Sequence, residues 1–152
     1  MAMSQSLTNI LVHIIFSTKD RQPLINQCVE GQLHAYMAAV FKECDSPALI
    51  IGGTETHVHI LCSLSKKNSL SKVLEDVKKS SSKWIKTIGP DYGKFYWQNG
   101  YGAFSIGFSG KTAAINYIKN QKAHHKNKTF QEEFLEFLNT YQVNYDERYL
   151  WD

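Results

Sequence analysis

The sequence predicts an α+β domain: a ferredoxin-like split βαβ, with an antiparallel sheet, helices on one face and further helices at the C-terminus. Three observations predict it. Short β-branched runs and two long segments of helical period follow one another in the order β-α-β-β-α-β. The second and third runs are separated by a gap short enough for an antiparallel hairpin. The chain has 152 residues, 43% of them hydrophobic and 20% charged, which suits one domain with one core.

The elements follow in order. Residues 1–6 are polar and are expected to fray. Leu7 to Ser17 is rich in Ile and Val and reads as a strand. Thr18 to Gln22 is a polar turn, and Pro23 suits the first turn of a helix. Ile25, Val29, Leu33, Tyr36, Met37, Val40 and Phe41 recur at spacings of three and four, one buried stripe of that helix, which ends at Asp45-Ser46-Pro47. Ala48 to Gly53 is a strand whose closing glycines allow a bend, and about Thr56 to Leu64 is its partner. Ser69 is an N-cap, and Leu70, Val73, Leu74, Val77, Trp84, Ile85 and Ile88 form the stripe of the next helix.

Gly89-Pro90-Asp91-Tyr92-Gly93 is a stop and turn. Phe95 to Phe108, aromatic and glycine-rich, reads as a strand or bent hairpin. Ser109 is the expected cap of a helix carrying Tyr117 and Gln121. Thr129-x-x-Glu132 is a capping box for a last helix to about Tyr141, with Phe130, Phe134, Phe137 and Leu138 on its apolar face. The aromatic and acidic tail, 143–152, is expected to pack back on the domain. The whole of 1–152 reads as one domain, with a core of about 7–125 and a C-terminal helix and tail at 129–152.

Composition narrows the class. No apolar run approaches the roughly 20 residues of a membrane span, and the N-terminus does not read as a signal peptide. Cys28, Cys44 and Cys62 form no close pair, which argues for reduced, mostly packed thiols and a cytoplasmic protein. The net charge of +3 is uninformative, but lysines cluster at 66–86 and again at 119–128 beside His124 and His125. Such a local basic face is the footprint of phosphate contact, although a solvated helix face gives the same pattern. Gly110-Lys111-Thr112 is a decoy: a phosphate-binding P-loop needs glycine where Ser105 stands.

Two motifs carry chemistry. His57-Val58-His59 lies in a strand, so both imidazoles point to one face while Val58, Ile60 and Cys62 point to the other. Taken alone, that pattern is equally a pair of packed histidines. Tyr117 and Gln121 stand four apart and become neighbours on one helical face. A phenol, an amide and two imidazoles suit phosphoryl transfer at a metal. His124 and His125, just beyond, suit a helix end, a DNA contact or, less readily, a metal ligand. Trp97, Tyr101 and Phe104 are candidates for stacking on unpaired bases, although aromatic residues in a strand are more often core.

With these motifs the chain resembles the single-tyrosine HUH transposases of the smallest insertion sequences, the IS200-like family. His57-Val58-His59 stands for the HUH motif and Tyr117-x-x-x-Gln121 for the nucleophile motif. Trp97 to Ser105 and Tyr145 to Trp151 also look like one branch of that family. The resemblance implies a bacterial or archaeal enzyme that recognises hairpin ends of single-stranded DNA and cleaves and rejoins them through a 5′-phosphotyrosine at Tyr117. It implies magnesium or manganese held by His57, His59 and Gln121. It also implies a homodimer in which the tyrosine helix of one subunit completes the other's site. Lys79, Lys83, Lys119, Lys122, His124 and His125 are the candidate DNA contacts. The sheet face bearing His57 and His59 is expected to be open, ready to receive DNA and the tyrosine helix. Competing readings are a host-adopted relative that processes palindromic repeats, a non-catalytic nucleic-acid module of the same fold, and a zinc hydrolase.

Overall fold

The computed structural model describes residues 4–152, so part of the frayed start expected over 1–6 lies outside the described residues. The chain forms β1 (Leu11–Ser17), α1 (Gln27–Glu43), β2 (Ala48–Gly53), β3 (His57–Ser63) and α2 (Leu70–Ile85). It continues through β4 (Gly102–Ile106), α3 (Lys111–Lys119), a single turn α4 (Gln121–His124) and α5 (Phe130–Thr140). The four strands make one antiparallel sheet in the order β2-β3-β1-β4, the expected split βαβ arrangement.

Alternation along β1 and β3 divides the side chains between two layers. Val12, Ile14, Phe16, Val58, Ile60 and Cys62 enter a core with Val29, Leu33, Met37 and Phe41 of α1 and Val73, Leu74 and Val77 of α2. On the other face Ile15 and Phe104 pack with Phe130, Phe134 and Leu138 of α5. Leu11 and Leu61 pack there with Ile118 of α3. The expectation of an open histidine face is therefore corrected: α3, the tyrosine helix expected there, lies on it in the same chain, and α5, which was not, closes the rest. Burying three large apolar side chains of α5 is favourable by about 2 kcal/mol each, which is enough to hold the helix down.

Several local expectations also shift. Leu7 is 85% exposed and β1 starts only at Leu11. Pro23 precedes α1 rather than opening it, because the chain stays extended with Ile25 N–H bonded to Glu55 O, and Asn26 is the cap. Ile88 lies past the end of α2 and is exposed. Of the stretch 95–108, Gly102–Ile106 joins the sheet as a strand, and Trp97 adds a single antiparallel bridge to Thr18. Ser17 N–H, which a longer pairing would use, is taken by the Gln98 side-chain oxygen at 2.7 Å. Gly110, not Ser109, caps α3, and the helix breaks at Asn120 between Tyr117 and Gln121.

Other expectations hold. Ser69 caps α2 and Thr129 with Glu132 forms the capping box of α5. The tail packs back only at its end: Leu150 and Trp151 lie against the α5 core and Gly100 N–H donates to Asp152 O, while residues 143–149 are exposed. All three cysteines are free; Cys62 is buried, Cys44 half-buried and Cys28 exposed. No described helix is long and apolar enough to cross a membrane.

Candidate functional site

Strand β3 presents His57 and His59 side by side beneath α3 and α5, at 1% and 0% exposure. Their ring centroids lie 5.3 Å apart. Helix α3 rests on the sheet edge because Gly52 of β2, paired with His59, has no side chain: a Cβ there would lie 2.4 Å from Ile118 O. That seat brings Tyr117, the neighbour of Ile118, to a ring distance of 5.8 Å from His59 in the same chain. Beyond the break at Asn120, buried Gln121 turns inward and its Oε1 meets His57 Nε2 at 3.2 Å.

Glu133 gathers these groups. Its Oε1 lies 2.8 Å from His59 Nε2, 3.1 Å from His125 Nε2 and 3.7 Å from His57 Nε2. Its Oε2 accepts from the Tyr117 hydroxyl and from Gln121 Nε2. The carboxyl is 1% exposed, and burial alone would raise its pKa. Hydrogen bonds from His125, His59 and Tyr117 outweigh burial and keep it far below the usual carboxylate range.

The partners fix the protonation of each imidazole. His57 Nε2–H donates to Gln121 Oε1, while its Nδ1 accepts from the hydroxyls of Thr54 and Thr56, both at 3.0 Å. His59 Nε2–H donates to Glu133, so its Nδ1 accepts from His13 Nε2–H at 2.8 Å. Both rings are thus neutral, and burial pushes both pKa values down, that of His57 to about 3. His13 is also lowered to about 3 by burial and by neighbouring His59. His125 differs, since its Nδ1 meets Lys128 O at 2.7 Å and its Nε2 meets Glu133. Both partners are acceptors, so the ring carries both protons; burial opposes this, but Glu133 outweighs it and the pKa is raised. Burial first, then Glu133, pushes the Tyr117 phenol above its ordinary value.

His57, His59, His125 and Glu133 each offer a ligand atom, all within 4.8 Å of one another. A cation with bonds of about 2.1 Å in octahedral geometry holds adjacent ligands about 3 Å apart, close to the 2.8 and 3.1 Å separations found. Binding requires the Nε2 protons to leave, and the neighbours permit it. The threonine hydroxyls and His13 Nε2 can each accept from Nδ1–H as readily as they now donate. The residues present therefore fit a divalent metal.

The other predicted residues divide. His125 joins the cluster. The exposed His124 ring stacks on Tyr117, with centroids 4.6 Å apart. Lys122 pairs with Glu30 at 2.5 Å and Lys119 is exposed nearby. Lys79 and Lys83 are exposed on α2, across the sheet from the cluster. Two members were not foreseen. Glu133 stands three residues from Phe130 and four before Phe137, a lone carboxylate within an apolar stripe, and that position was its signal. His13 shares the face of Leu11 and Ile15 on β1, a buried imidazole on an otherwise apolar strand face.

No curated protein matches the chain. Among solved structures, a Deinococcus radiodurans protein assigned as a transposase is similar with a TM-score of 0.62 at 16% identity, over 80% of this chain and 98% of that one. A REP-associated tyrosine transposase bound to a REP hairpin is similar with a TM-score of 0.61 at 13% identity, over 82% of this chain and 74% of that one. Both likenesses are of fold. The family model described as "Transposase IS200 like" matches residues 6–121, a span that holds the HUH pair, Tyr117 and Gln121 but stops before His125 and Glu133. By that match over most of its length, the chain belongs to the IS200-like transposase family.

Proposed function

We propose that this chain is a metal-dependent, single-tyrosine transposase that cleaves and rejoins single-stranded DNA at hairpin ends. One observation carries the reading: the Tyr117 hydroxyl and the HUH histidine His59 converge on a single carboxylate, Glu133. A phenol and an HUH imidazole that share one buried anion, with the second imidazole beside them, support a single reaction centre.

Tyr117 is the nucleophile. Its Oη forms a bond to the scissile phosphorus as the bond to the 3′-oxygen breaks. Glu133 Oε2, which accepts the phenol's hydrogen bond, holds the Oη in position; the phenol proton passes to solvent water, and the leaving 3′-oxygen takes one from solvent. The 5′-phosphotyrosine keeps the energy of the ester, and attack by a free 3′-hydroxyl reverses the steps and reseals the strand. His57, His59, His125 and Glu133 would hold a divalent cation, with Gln121 beside His57 as a further oxygen donor. When bound, that cation supplies Lewis-acid charge to the phosphate oxygens. The resemblance suggests magnesium or manganese, and three imidazoles favour manganese of the two.

A polar cavity of about 690 Å³, lined in part by Arg21, Thr54, Thr56, His125, Lys126 and Lys128, opens onto the half-buried edge of the cluster. Its cations suit a phosphate backbone entering toward His125. Joining two ends takes two tyrosines, so the active form is a homodimer. Tyr117 already reaches the histidines of its own chain, which favours the nucleophile acting in cis at this stage.

The test is a labelled single strand from the DNA flanking the gene, run on a denaturing gel after incubation with protein and manganese. The wild type gives a shifted covalent band and Tyr117→Phe gives none; a band that survives in Tyr117→Phe refutes the assignment. Mixing Tyr117→Phe with the His57→Ala, His59→Ala double variant restores the band only if the tyrosine acts in trans.

A further inference from the structure

The Tyr117 phenol sits in a box of rings. His13, His59 and Phe137 meet it edge-on, with centroids 6.1, 5.8 and 5.8 Å away and planes inclined by 71°, 69° and 75°. These three come from β1, β3 and α5, and each is buried or half-buried. The remaining wall is different. His124 lies almost flat on the phenol, at 26° with centroids 4.6 Å apart, and it is exposed.

Helical spacing does not account for that stack. In an unbroken helix, residues seven apart stand about 10 Å apart along the axis, and their side chains lean the same way. Rings so placed do not meet face to face. Here the helix breaks at Asn120, between the two residues, and the stack forms across the break. The short turn beyond the break is fixed by its other members. Gln121 meets His57, Lys122 pairs with Glu30, and His125 meets Glu133 and Lys128 O. The backbone that carries His124 is therefore held by its neighbours, and the ring is held over Tyr117. An exposed imidazole among lysines suits a phosphate contact, but a ring laid on the phenol has one face already occupied.

We infer that His124 is a positioning residue: its ring closes the solvent side of the box and keeps the Tyr117 hydroxyl on the cluster. The inference rests on the proposed role of Tyr117 as nucleophile. Without the stack, the half-buried phenol is free to turn toward solvent, away from His59 and Glu133. An aromatic pair favours its closed arrangement about 2- to 10-fold. Losing it lowers the fraction of chains with the hydroxyl in place by up to about that factor.

The test compares His124→Ala, which removes the ring, with His124→Phe, which keeps a flat ring and removes the nitrogens. Three readouts use the full chain. Fluorescence anisotropy gives affinity for the labelled end strand. The covalent band, at saturating strand and with manganese, gives the single-turnover rate. Nitration by tetranitromethane, located by mass spectrometry in the protein alone, reports access to the Tyr117 ring, with Tyr149, 66% exposed, as the internal reference. In His124→Ala the rate is expected to fall up to about tenfold and Tyr117 nitration to rise, with affinity within about twofold of the wild type. His124→Phe is expected to recover most of both changes. Equal Tyr117 nitration in all three proteins overturns the inference. A His124→Phe variant as slow and as readily nitrated as His124→Ala also overturns it, because the imidazole then acts through its nitrogens. A loss confined to affinity overturns it as well and makes His124 a DNA contact. Each of these leaves the nucleophile assignment standing, whereas a band that survives in Tyr117→Phe overturns that assignment and this inference together.

Discussion

Gly52 is the seat of the tyrosine helix, and replacing it by alanine tests how the site is assembled. The added Cβ would stand 2.4 Å from Ile118 O, 3.1 Å from Ile118 Cγ2 and 3.2 Å from Ile118 C. Two of those three atoms are backbone, so a rotamer change gives no relief. Ordinary contact needs about 3.4 Å or more, so α3 must lift by about 1 Å. Overpacking of this kind costs about 1–3 kcal/mol, which for a chain of this size lowers the melting temperature by roughly 3–10 °C. Tyr117 adjoins Ile118 and moves with it. A displacement of about 1 Å at a reacting group costs about 100-fold in rate.

The assays are thermal unfolding followed by circular dichroism, and the single-turnover rate of covalent-band formation. Gly31→Ala is the control: Gly31 lies in α1 with nothing near its would-be Cβ, so alanine should be neutral or stabilising by about 0.5–1 kcal/mol. If Gly52→Ala melts and reacts like the wild type, α3 does not lie on that edge of β2, and the account of how Tyr117 reaches the histidines is wrong.

Further predictions concern the cluster. His13→Phe keeps the ring packing against Phe137 but removes the partner of His59 Nδ1; manganese affinity, read by calorimetry, should fall about 10- to 100-fold, and unchanged affinity would show that His13 only fills space. The metal-free protein should be acid-labile. His13 and His57 titrate at about 3 when folded, so below about 6.5 the unfolded chain binds protons that the folded chain refuses. Each costs up to about 1.4 kcal/mol per pH unit as the pH falls from 6.5 toward 3, and lowered His59 acts in the same sense. Glu133, held low, adds its loss below the ordinary glutamate range, whereas raised His125 opposes the trend by favouring the folded state until the pH climbs past its folded value. Melting temperatures that stay flat between pH 7 and 5 would contradict these neutral, buried rings.

Much of this molecule was legible from residue order alone, because the signals are local. Alternation put Val58 and Ile60 on one side of β3 and His57 and His59 on the other. Helical spacing marked the stripes of α1 and α2, and Thr129 with Glu132 announced α5. The spacing of Tyr117 and Gln121 also held, although Asn120 interrupts the helix between them.

What residue order did not decide is which side chains would meet. Glu133 reaches His59 across 74 positions and His13 reaches it across 46. Whether a buried carboxylate is a defect or a hub depends on partners at such distances, and no periodicity encodes them. The sheet face was expected to be open because the helices of the split βαβ were assigned to the other face, the one bearing Val58 and Ile60. It is closed because those polar atoms satisfy one another under α3 and α5, which removes the cost of burying them. Local patterning therefore determined the elements and the motif residues. Only packing of distant segments, driven by apolar burial and completed by charge compensation around Glu133, determined that they form one centre.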